Sequence, residues 1–254
     1  MKFQLILLLI SLFHLSYSQD RLFTYTYQSN VLNKGQKELE VWNTMESGKE
    51  EYYRKLLQRV EFEIGLGGNV QTAFYLNVDQ EFNGSVDIGF SNEWKWKLLD
   101  PVANIVGLGL YGELTLEPHE TEIEGKILID KQTGAFLHAV NIVVEQGWEQ
   151  ELEGSEIETE TFTEAQLHYA LAYRINPTVH IGFESLLRNE WAPEKEYSNL
   201  FAGPCFSFAS ENFWINGTFL PQITSLYSAD ETSNGLDLIH HSKFEARVLF
   251  SFMF

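Results

Sequence analysis

The chain has one cysteine, Cys205, so it cannot close an internal disulfide and no disulfide framework is available to it. It also lacks positive charge. Seventeen Lys and Arg stand against 36 Asp and Glu, for a formal charge of −19, which argues against a nucleic-acid partner. Beyond the N-terminus no apolar run approaches the ~20 residues that a spanning helix needs. A helical membrane protein is thereby excluded, but a barrel is not, since its strands need only ~9–11 residues and are apolar at alternate positions. No phosphate loop, nucleotide fingerprint, EF-hand spacing or zinc-spaced Cys/His set is present, so no cofactor and no metal site are expected. Cys205 is read as a small apolar wall residue.

The first residues read as an export signal. Lys2 precedes an apolar stretch from Leu5 to Leu15, and Ser16 and Ser18 supply small residues where a signal peptidase reads. Cleavage is expected after Ser18, leaving residues 19–254 as one domain with Gln19 first; losing Lys2 takes the charge from −19 to −20.

From there period-two alternation dominates and helical periodicity is scarce. Val60, Phe62 and Ile64 alternate with Arg59, Glu61 and Glu63, then Gly67-Gly68-Asn69 makes a tight turn. Phe74, Leu76 and Val78 follow, opposite Ala73, Tyr75 and Asn77, and Trp94, Trp96 and Leu98 alternate with Glu93, Lys95 and Lys97. The pattern repeats through Leu108–Leu116, Ile123–Ile129, Phe136–Val144, Ala165–Tyr173 and Val179–Phe183, with less regular strands over 197–209 and 211–221. In the last strand Ala246, Val248, Phe250, Phe252 and Phe254 share one face. An alternating final strand ending in an aromatic resembles the assembly signal of outer-membrane barrels, here Val248, Phe250, Phe252 and Phe254.

Taken together these features predict an all-β, antiparallel, up-and-down transmembrane barrel of about twelve strands in the outer membrane of a Gram-negative cell. A first strand over 37–45 puts the short turns at 67–69, 100–104, 131–134, 175–177 and 210–212 on one side and longer loops at 47–53, 146–159, 189–198 and 222–239 on the other. A secreted β-sandwich is the rival fold, but it has no need of that alternation. The partners expected are outer-membrane lipids and the barrel-assembly machinery.

The apolar face is expected to meet lipid, with Trp94, Trp96, Tyr173, Phe250 and Phe252 in aromatic girdles. The polar face would line the lumen. Gly65, Gly89, Gly107, Gly109 and Gly182 leave space there, which favours a narrow pore for small polar solutes or ions over a closed structural barrel. The solute itself is not legible.

Phe23-Thr24-Tyr25-Thr26-Tyr27, then Gly35-Gln36 and Glu38-Leu39-Glu40-Val41-Trp42, resemble the opening of a family of functionally uncharacterised outer-membrane barrels of transporter type. The resemblance implies the fold and no established activity. On strand one Glu38 and Glu40 share the lumenal face, and Arg59 and Arg247 are their expected partners in a salt-bridge cluster.

One constellation suggests catalysis. His240 and Ser242 are two apart, the spacing at which a histidine activates a serine for ester hydrolysis, and lipid-modifying barrels resemble this His-x-Ser arrangement. Lys243 stands where those families carry Asn, so a polar strand start is the expected role and no enzyme activity is anticipated. The acidic run Glu149, Glu151, Glu153, Glu156, Glu158 and Glu160 reads as a solvated surface loop.

Overall fold

In a computed structural model the chain is described over residues 21–49, 54–82, 84, 86–153, 156–192, 196–230 and 232–254, with side chains at 151–157 left aside. The expected signal segment, residues 1–18, lies outside these.

Twelve antiparallel strands form one closed barrel: β1 (Lys37–Ser47), β2 (Arg54–Gly67), β3 (Val70–Glu81), β4 (Val86–Leu99), β5 (Gly107–Leu116), β6 (Glu120–Thr133), β7 (Phe136–Glu153), β8 (Glu156–Asn176), β9 (Val179–Trp191), β10 (Glu196–Ala209), β11 (Phe213–Ser228) and β12 (Phe244–Met253). Each strand pairs with its sequence neighbours, and β1 closes the ring on β12 from Glu38↔Met253 to Ser47↔Phe244. Among the described residues there is no helix long and apolar enough to cross a membrane.

Alternation decides which side chains face out. Phe74, Leu76, Ile88, Phe90, Trp94, Trp96, Ile123, Ile142, Leu167, Phe250 and Phe252 are all exposed. On the opposite face Glu61, Glu63, Glu93, Lys95, Glu113, Lys126, Asp130, Glu184 and Glu245 are buried, while Arg174 and Lys243, nearer the ends, are exposed. The barrel is therefore inside-out relative to a soluble β-protein.

The connections differ from expectation in one respect. Residues 146–159 are not a loop. β7 and β8 continue as paired strands as far as Glu153↔Glu156, so the acidic run is a projecting hairpin with Glu158 and Glu160 exposed on it. Its outer half alternates Glu with Thr and lacks the apolar face by which lipid-facing strands are recognised. β11 likewise runs to Ser228, which shortens the loop expected at 222–239 and leaves 229–243 as the connection to β12. The turn end carries Gly67-Gly68-Asn69, all at positive φ as such a tight turn requires.

The lumen is not an open bore. Residues 21–34 fold into it and seat alternate aromatics in three apolar pockets of the wall. Phe23 packs with Leu22, Leu137, Ala139, Ala170, Ala172 and Cys205. Tyr25 meets Leu186, Phe201 and Leu220. Tyr27 joins Trp42, Tyr111, Leu128, Trp214 and Leu249. Cys205 is thus a wall residue facing inward, as part of the seat for Phe23.

The lumenal glycines do not leave the open space expected of them. A Cβ on Gly65 would lie 2.1 Å from the Asn33 carbonyl oxygen and 2.6 Å from that of Leu32, and one on Gly107 would lie 2.4 Å from Ser29 Oγ. The space they leave is filled by the chain's own N-terminal segment. At Gly89 and Gly182 a Cβ would instead meet Glu117 and the Leu171 carbonyl oxygen.

Gly65→Ala is expected to destabilise the folded barrel by roughly 1–3 kcal/mol, because the obstacle is backbone and cannot swing away. Denaturant unfolding measures this, and faster tryptic cleavage at the exposed Lys34 would report segment displacement. Gly112→Ala is the control, since its Cβ comes no closer than 3.9 Å to the Glu124 carbonyl oxygen.

Candidate functional site

The site is the lumen: a wall of inward polar side chains, the segment 21–34 lodged between them, and a cavity on either side of it.

The segment is held by its backbone. A chain entering a barrel leaves its N–H groups without ladder partners, and each must find one. Glu184 on β9 takes three consecutive ones. Its carboxylate accepts the amides of Thr24 at 2.9 Å, Tyr25 at 2.9 Å and Thr26 at 2.8 Å, and the hydroxyls of Thr24 at 3.2 Å and Thr218 at 2.6 Å. Successive amides converging on one anion form a nest, and charge-assisted bonds of this kind are roughly twice as strong as neutral ones. Asn141 accepts Tyr27 N–H at 2.7 Å and donates to the Tyr27 carbonyl at 2.8 Å. Asp130 accepts Ser29 N–H and Gln71 accepts Leu32 N–H, both at 2.8 Å. Four strands (β3, β6, β7 and β9) thus fix one segment.

Cations and rings interleave around it. The Arg21 guanidinium lies 4.0 Å from the Tyr27 ring centre and 4.3 Å from that of Trp42. Arg247 lies 3.9 Å from Tyr25, and Lys126 lies 4.5 Å from Tyr27 and 4.4 Å from Tyr111. Desolvated contacts of this type contribute up to ~2 kcal/mol each.

Towards the loop end lies a cavity of about 380 Å³ floored by Tyr25 and Tyr27. Glu120, Glu122 and Glu124 on β6 line it, as does Arg247 on β12. β6 and β12 are six places apart in the twelve-strand ring, so acid and base face one another across the lumen. Towards the turn end a second cavity, about 340 Å³, is lined by Leu22, Gln28, Asp130, Arg174 and His180 among others.

The four expected cluster residues share the lumenal wall but are parcelled out among other partners. Glu40 pairs with Arg21 at 3.7 Å, Arg59 with Glu113 at 3.2 Å, and Arg247 donates to Thr44 at 2.7 Å. Glu38 accepts from Trp214 Nε1 at 2.5 Å and from the Ser251 hydroxyl. Arg21 comes from the lodged segment, whose place in the lumen the strand pattern does not reveal. Of the expected assembly residues, Val248, Phe250 and Phe252 lie in β12 and Phe254 just beyond it, with Phe250, Phe252 and Phe254 exposed.

His240 and Ser242 are not joined as a hydrolytic dyad. His240 Nδ1 lies 3.0 Å from Asp237 and Nε2 lies 3.2 Å from Asp230, while the Ser242 hydroxyl donates to Glu46 at 3.3 Å. Both imidazole nitrogens face carboxylates and the serine points elsewhere. The cluster anchors the 229–243 connection instead. His240 also stacks on Tyr197 at 5.7 Å, and Asp237 accepts the His240 backbone amide at 3.1 Å.

Sequence reading missed Glu184 and Asn141 as segment-binding residues. The available signal was Glu184 itself, an acid on the lumenal face two residues after Gly182.

Two outcomes follow. Glu184→Gln replaces one of the two acceptor oxygens by an amide NH2, a donor facing donors that need an acceptor, and leaving such groups unsatisfied costs ~1–3 kcal/mol. A lower denaturation midpoint and protease-sensitive 21–34 are expected. At the loop end, burial raises the Asp237 carboxyl, but the hydrogen bonds from the His240 amide and ring outweigh this and hold it below its ordinary value. A depressed carboxyl contributes stability in full above its unfolded pKa, ~3.9. That contribution is lost as pH falls through the folded value. Proteolytic protection of 229–243 should therefore persist down to about pH 4 and fail below it, and Asp237→Asn should remove the acid transition.

No curated protein matches the chain in sequence. Among solved structures it is similar to an outer membrane channel from Pseudomonas putida F1, with a TM-score of 0.62 at 10% identity over 89% of this chain and 98% of that one. The NanC porin gives 0.54 at 12% identity over 84% and 98%. The translocator domain of the autotransporter NalP from Neisseria meningitidis gives 0.55 at 10% identity over 89% and 91%. At these identities the likeness is one of fold. A family model matches residues 15–254, and the chain accordingly belongs to the family of unknown function DUF6662.

Proposed function

We propose that the protein is an outer-membrane channel for small polar solutes or ions whose passage is controlled by its own residues 21–34. The observation that carries this is the division of the lumen into two polar cavities, about 380 and 340 Å³, by a segment held by side-chain hydrogen bonds and not by a strand ladder. A lumen filled solid by wall side chains would have no such chambers. The exposed apolar band supports a lipid-facing exterior, and similar solved structures include porins and a channel. Residues 1–18 would direct export and be removed, and the Phe254-terminated strand would engage the barrel-assembly machinery. Acid and base facing across the loop-end cavity suit polar or zwitterionic solutes better than apolar ones.

The five hydrogen bonds on Glu184 favour a second reading, a permanently closed barrel acting through its surface.

Conductance in a planar bilayer separates the two. The folded full-length protein is expected to pass little or no steady current, and deletion of 21–33 to produce discrete open steps, with Glu184→Gln giving intermittent opening. Silence from a demonstrably folded deletion variant would reject the channel.

A further inference from the structure

Beside the lodged segment, β1 and β2 set four carboxylates against one another. Their register pairs Glu38 with Glu63 and Glu40 with Glu61, and all four are buried. Like charges directly opposite on antiparallel strands destabilise a sheet, and a carboxylate removed from water needs a counter-charge or donors. Three of the four have them. Glu38 accepts from Trp214 and Ser251, Glu40 from Trp42 Nε1 at 2.7 Å with Arg21 at 3.7 Å, and Glu63 from Gln71 Nε2 at 3.0 Å. Glu61 does not. Its side chain is 0% exposed and neither carboxylate oxygen has a hydrogen-bond partner. One oxygen from each of Glu40, Glu61 and Glu63 lies within 4.8 Å of the others.

We propose that Glu40, Glu61 and Glu63 hold a hard divalent cation of calcium's size, with the unpartnered Glu61 carboxylate as its principal ligand. A calcium ion binds oxygen at ~2.3–2.6 Å, so oxygens on either side of it stand up to about 5 Å apart, the spacing found here. The all-oxygen donor set disfavours zinc, which selects nitrogen and sulfur. Magnesium demands near-octahedral geometry and keeps several waters, which a buried irregular cluster does not readily accommodate. Two ligands also touch the lodged segment's anchors. Glu40 pairs with Arg21, and Glu63 accepts from Gln71, whose Oε1 accepts the Leu32 amide. The ion would tie both parts of the segment to the β1–β2 wall.

Terbium tests this directly. Trp42 donates to a ligand carboxylate and so stands within transfer distance of the ion. The full-length protein is refolded into detergent with Tb³⁺ present, so that the ion need not enter a closed lumen. Tryptophan-excited emission saturating at one equivalent and displaced by Ca²⁺ is the expected result, with half-saturation raised roughly tenfold or more in Glu61→Gln and in Glu63→Gln. The exposed pair on the projecting hairpin supplies the control: Glu158→Gln with Glu160→Gln should leave the signal unchanged. Absence of saturable emission from the folded wild type would overturn the proposal. So would loss of the signal in the hairpin variant with none in Glu61→Gln. Should the lumenal variants not fold, one calcium-displaceable equivalent surviving in the hairpin variant supports the site, and none overturns it.

Discussion

The ladder between β1 and β12 is the constraint from which the rest of the molecule follows. A sheet with an apolar exterior cannot leave an edge of unpaired amides and carbonyls, because no water is available there to satisfy them. Closing the ring removes both edges at once, and register from Glu38↔Met253 to Ser47↔Phe244 accomplishes it. Closure also sorts the side chains. With alternate positions committed outward, the charges facing inward on the same strands are committed to a confined interior, where they must be paired, hydrated or otherwise neutralised.

The chain meets that requirement largely from within itself. Residues 21–34 bring backbone amides to Glu184, Asp130 and Gln71, a guanidinium to Glu40, and aromatic faces to Arg247 and Lys126. The exchange is reciprocal. The wall's acids satisfy a segment that has no strand partner, and the segment's donors and rings satisfy charges that would otherwise face a void. The polar wall and the opening Phe-Thr-Tyr-Thr-Tyr sequence are two halves of one arrangement.

This explains what was legible beforehand. Strand identity, facing and closure rest on period-two alternation, which is local, so β2, β3 and β4 and the lipid face of β12 can be read residue by residue. The outer parts of β7 and β8 could not, because their Glu and Thr lack an apolar face and resemble solvated loop. The partners of the inward charges are longer-range still. Arg59 reaches Glu113 from β2 to β5, Arg188 reaches Glu245 from β9 to β12, and Arg21 reaches Glu40 from outside the sheet. Such pairings depend on what occupies the lumen, and glycines that seemed to leave it empty were making room, Gly65 for the backbone of Leu32 and Asn33 and Gly107 for the side chains of Ser29 and Asp130.

Cys205 acquires a meaning from this arrangement. It is the chain's single sulfhydryl, it is buried, and its neighbours include Leu22 and Phe23 of the lodged segment together with Ala170 and Ala172 of the wall. Any excursion of the segment uncovers that sulfur to the lumenal water, and its return hides it again. The molecule therefore carries a native chemical clock: the rate at which a small thiol reagent labels it measures how often the interior opens, with no engineered probe and no second cysteine to confuse the reading.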